Sequence, residues 1–93
     1  MNYKIKFKDG SEKGFDNLFG KNLRGTDLSR LDLRGADLRD ADLGSAHLDG
    51  APLSGAKLDW TKLDCADLSK ALFNEVDLNG ALLKEAQLPK HQN

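Results

Sequence analysis

The sequence is poor in most of what enzymes and membrane proteins are built from. Its 93 residues hold one cysteine, Cys65, so no internal disulfide can form, which fits a reducing compartment. No run of ~18 apolar residues exists that could span a membrane. The formal charge of −1 supplies no field strong enough to gather nucleic acid or an anionic bilayer, so neither is expected as a partner. The start, Met1-Asn2-Tyr3-Lys4-Ile5-Lys6-Phe7-Lys8, lacks the apolar core of a signal peptide, and the expected location is the cytoplasm. HExxH, CxxC and Walker loops are missing, and the two histidines, His47 and His91, are far apart. No catalytic, cofactor-binding or metal-ligating residue is nominated, and no cofactor is expected.

What the chain has in abundance is leucine at a fixed interval. Leu23, Leu28, Leu33, Leu38, Leu43, Leu48, Leu53, Leu58, Leu63 and Leu68 recur every fifth residue, Phe73 takes the next slot, and Leu78, Leu83 and Leu88 follow. Two residues before most of them stands a small side chain, usually alanine, with Thr26 and Thr61 in the same place. On an α-helix every fifth residue advances by ~140°, so the leucines would spiral around all sides. On a flat strand an odd spacing would send successive leucines to opposite faces. A chain that bends once per pentad keeps them all on one side, as in a β-solenoid.

The residues just before the leucines face outward and stack on their counterparts ~4.8 Å above and below. Four pentads to a coil give the columns Asp37, Lys57, Asp77; Asp42, Lys62; and Asp27, His47, Asp67, in which charges alternate. Three pentads would place Asp27 under Asp42, and two would place it under Asp37. Like charges in register are disfavoured, so the columns favour a square coil.

Ala-Asp-Leu-Arg-Asp at 36–40, Ala-Asp-Leu-Gly-Ser at 41–45 and Ala-Asp-Leu-Ser-Lys at 66–70 resemble the pentapeptide-repeat family. The resemblance covers about three-quarters of the chain and implies an all-β fold, a right-handed quadrilateral β-helix of ~3.5 coils. Lys21, Leu31 and Val76 depart from the small inward residue, Lys21 marking where the regular coil has not yet begun.

The expected organisation is an N-terminal strand cap over 1–20, the β-helix over 21–90 and a tail over 91–93. Tyr3, Ile5 and Phe7 alternate with lysines as an edge strand does, Asp9-Gly10 offers a turn, and a cap is needed where a solenoid would otherwise expose backbone and core. The other end has only Pro89 to Asn93 to cover it. Leu72 and Leu82 replace the outward aspartate there, on opposed walls, and with Leu83 and Leu88 they mark a dimer interface in which a second copy meets the first end to end. The resemblance supports this, since pentapeptide-repeat proteins often dimerise through that end.

Trp60, outward on a polar wall between Asp40 below and Gly80 above, is the candidate for binding a protein partner of unknown identity. Its bland alternative is a packing cover over Gly80. His47 between two aspartates reads as a rung of charge, and Cys65 has no lysine or histidine in its column to activate it. A rigid rod without a pocket points to a non-catalytic interaction module. The alternative the resemblance supplies is a DNA mimic that protects topoisomerases, or a shape-based inhibitor. Mimicry needs a long acidic stripe, and here the outward aspartates are compensated.

Overall fold

The computed structural model describes residues 2–90 and contains no helix. The tail expected over 91–93 lies outside the described residues. From residue 22 to residue 87, outward residues pair in parallel with the residue twenty positions on, as in Asn22 with Asp42, Asp37 with Lys57 and His47 with Asp67. Each pairing rests on two bonds of opposite sense: Asp42 N–H donates down to Lys21 O at 2.9 Å, while Leu23 N–H donates up to Asp42 O at 2.8 Å. A twenty-residue stacking interval is four pentads per turn. The two transverse dimensions, 22 and 21 Å, are those of a square tube. Inside it, Leu23 through Leu68 are at most 1% exposed, and Ala36 through Ala71 fill the gaps beside them.

The corners explain the pentad. In each, the small inward residue donates its N–H to the preceding leucine carbonyl, as Ala36 does to Leu33 at 3.0 Å. The residue between, last of its pentad, takes a positive φ at every corner from Gly20 to Glu85 except Lys70, the signature of a type II turn. Glycine supplies this freely at Gly35 and Gly55, yet Arg30, Asp40, Ser45, Trp60, Cys65, Glu75 and Glu85 adopt it too, at 58 to 61°. An L-residue pays about 1–2 kcal/mol there, which the rung bonds on either side must offset.

The outward aspartate closes the corner from the other side. Asp27, Asp32, Asp37, Asp42 and Asp67 each accept the N–H two residues on through Oδ1, at 3.0 to 3.2 Å. This local bond accounts for Asp or Asn at that slot better than the column charges do. The columns have the expected register, but their opposite charges form no direct ion pair among the described residues. Thr26 and Thr61 are fully buried and donate their hydroxyls to Leu23 O and Leu38 O, both at 2.6 Å, so neither hydroxyl is stranded, whereas Asp49 Oδ1 is buried without a partner among the described residues.

At the N-terminus, strands β1 (Tyr3–Lys6) and β2 (Glu12–Phe15) form an antiparallel hairpin. Tyr3 and Ile5 enter the core, and Lys6 O accepts Asp27 N–H at 3.0 Å, joining the hairpin to the first coil. The coil geometry reaches back to Leu18, which is buried below the Leu38, Leu58, Leu78 column, with Gly20 N–H bonded to Arg39 O at 2.9 Å. Lys21 is therefore already inside the coil. Its side chain points out from a slot that elsewhere points in, and Lys21 N–H closes a corner on Leu18 O at 3.2 Å.

Candidate interaction surfaces

Trp60 sits at the corner between two walls, with Asp40 one rung below and Gly80 one rung above. A Cβ at Gly80 would lie 2.6, 2.6 and 2.8 Å from Cδ2, Cε3 and Cζ3 of the indole. Three adjacent ring atoms at nearly equal distance place the ring face over the glycine. The residue is nonetheless 66% exposed, so its other face is open to solvent. The packing cover and the exposed anchor are thus the same side chain.

On that edge lie residues that sequence reasoning left out. Phe19 is 48% exposed, and the Arg39 guanidinium lies 5.4 Å above its ring. Arg39 also holds Asp37 through two bonds of 2.8 Å, which keeps that carboxyl below the usual carboxylate range. Phe15 pairs instead with Phe7, ring centres 6.4 Å apart. Asp59, next to Trp60, is half-buried and joins no ion pair among the described residues.

The C-terminal end is the second surface. Leu72, Leu82 and Leu88 are exposed at 57, 55 and 50%, while Leu83 packs partly against the core. Phe73 and Leu78, counted with the core from sequence, are only half-buried, because among the described residues no further rung stacks on them. Among the described residues the N–H groups of Leu78, Gly80, Leu83 and Glu85 and the carbonyls of Val76 and Ala81 find no backbone partner. A groove of about 770 Å³ opens beside Leu72, Phe73, Asn74 and Pro89. Leu72 stacks on Pro52 and Leu82 on Lys62, two walls apart, as the register requires.

His47 lies between Asp27 and Asp67 as expected. Both carboxyls sit below their usual range, first because of the Ser29 and Ser69 groups that donate to them and only secondarily because of His47. Cys65 is free and exposed, its sulfur 3.9 Å from Glu85 Oε1. Among the described residues no three His, Cys, Asp or Glu side chains gather to hold a metal ion.

The profile of the pentapeptide repeats matches residues 17–51 and 51–88. No curated protein matches the sequence significantly. Among solved structures, a pentapeptide repeat protein from the Arabidopsis thaliana thylakoid lumen is 32% identical with a TM-score of 0.75, over 77% of this chain and 50% of that one. One from Nostoc is 34% identical with a TM-score of 0.71, over 84% of this chain and 69% of that one. A third, from the cyanobacterium Cyanothece, is 30% identical with a TM-score of 0.64, over 77% and 56%. The chain thus spans between half and about two-thirds of the length of these structures. Repeat, register and structural likeness agree, and the chain belongs to the pentapeptide-repeat family, with its right-handed quadrilateral β-helix.

Proposed function

We propose that the chain is a non-catalytic protein-interaction module that associates with a second copy of itself through its C-terminal rung and offers its walls to a further protein. The observation carrying this reading is the last rung, where Leu72, Leu82 and Leu88 are exposed and backbone groups are left unpaired among the described residues. An open edge of this kind is a template for another chain, and pairing it would bury apolar side chains and backbone together. Pentapeptide-repeat proteins are generally non-catalytic, which supports the same reading for this chain. A DNA-mimicking role finds less support, because Asp32, Asp37, Asp42 and Asp64 are paired with three arginines, Arg24 serving both Asp42 and Asp64. Sedimentation equilibrium tests the proposal. The expected result is a dimer that Leu82→Glu combined with Leu88→Glu converts to monomer without changing the circular dichroism spectrum. A parent protein that stays monomeric over a wide concentration range would remove it.

A further inference from the structure

We infer that the Trp60 corner docks a basic segment of a partner protein, with an arginine or lysine side chain laid on the open face of the indole and its charge set against Asp40 and Asp59. This rests on the interaction-module reading and adds the chemistry of the partner. The indole is held in place before any partner arrives, since Gly80 seats one face and leaves the other bare. A bare indole face attracts cations through its quadrupole.

The same edge of the rod already shows this pairing within the chain, because Arg39 covers the Phe19 ring. Arg39 is committed to Phe19 and Asp37, and among the described residues no cation lies over Trp60. The charges on that wall are acidic on balance. The wall and corner that end at Trp60 carry Asp37, Asp40, Asp59 and Asp77 against Arg39 and Lys57. Asp40, one rung below Trp60, and Asp59, beside it in the chain, feel the charge of Arg39 but join no ion pair among the described residues, and Asp40 N–H bonds to Asp59 O at 3.2 Å, which fixes their backbones on adjoining rungs. A phosphate-bearing partner would meet like charge here.

Trp60 is the one tryptophan, so its emission reports directly on this corner. The test is titration with a short arginine-rich peptide and with a glutamate-rich peptide of equal length. A saturable emission change with the first alone, weakening as salt is raised, is expected. Asp40→Asn with Asp59→Asn should weaken binding about threefold or more, the size of two exposed ion pairs. With Trp60→Leu, labelled-peptide anisotropy should show binding lost although the fold is kept. Equal response to both peptides, or unchanged affinity in the double variant, would overturn the inference. Sedimentation of the same samples separates the two readings: intact self-association without peptide binding overturns the docking inference and leaves the module standing.

Discussion

Arg24 is ion-paired with Asp64, forty residues further along the chain, at 2.7 Å. The side chain runs up one column across Gly44 and also touches Asp42 at 3.0 Å, tying three successive rungs together. Gly44 makes this possible, because a Cβ there would land on the guanidinium. Its backbone does not have a positive φ, so only the space is at stake.

Gly44→Ala should therefore displace a flexible, exposed side chain and cost less than about 1 kcal/mol. A double-mutant cycle of Gly44→Ala with Asp64→Asn, followed by urea denaturation, should show that the losses do not add, since both break one contact. Full additivity would mean that the strap contributes nothing in solution.

Leu58 and Leu78 share one column but not one environment, for Leu58 is 1% exposed and Leu78 half-buried. Leu58→Ala should cost about 2–5 kcal/mol and endanger folding of so short a rod. Leu78→Ala should cost clearly less. Equal urea midpoints for the two variants would contradict the picture of an uncovered last rung.

Glu75 holds φ at 58° above Gly35 and Gly55 in its corner column. Glu75→Gly removes a left-handed strain of about 1–2 kcal/mol and adds backbone entropy to the unfolded chain worth about half of that. A net gain of about 0.5–1 kcal/mol in denaturant unfolding is expected. A loss of stability would show that the carboxylate has a role at the corner that the backbone argument omits.

Asp32 is held at about 2, first by the Arg34 side chain and then by the Arg34 backbone N–H, and Asp27, Asp37, Asp64 and Asp67 are also lowered. A carboxyl whose folded value lies below its unfolded value of about 3.9 stabilises the fold above that value and loses this contribution as it is protonated. Urea midpoints should be level above pH 5 and fall between pH 4 and pH 2. Asp32→Asn should shrink that fall, and a flat profile down to pH 2.5 would refute the assignment.

The interval of five made the tube legible, and the outward columns made the twenty-residue stacking legible. Trp60 over Gly80 followed from that register alone. What stayed hidden was the reason for the aspartates. Charge alternation pointed to the correct register, yet the side chains are engaged with N–H groups two residues away. Such a bond is a matter of corner geometry, which leucine periodicity does not encode. The positive φ at Arg30 or Glu85 was hidden for the same reason, because glycine marks only some corners. The start of the coil was blurred because Lys21 breaks the pattern while Leu18, outside the counted leucines, keeps it.

Pro52 has no N–H to donate to Leu31 O, the bond every regular outward residue makes twenty-one positions back, and the Asp32 to Pro52 pairing is accordingly missing while Pro52 to Leu72 is kept. The first two coils are thus joined on that wall by one bond fewer than on the others, while Leu33 N–H still donates to Pro52 O at 3.0 Å. Mechanical pulling is therefore expected to part those two coils first on the wall opposite Arg24 and its strap.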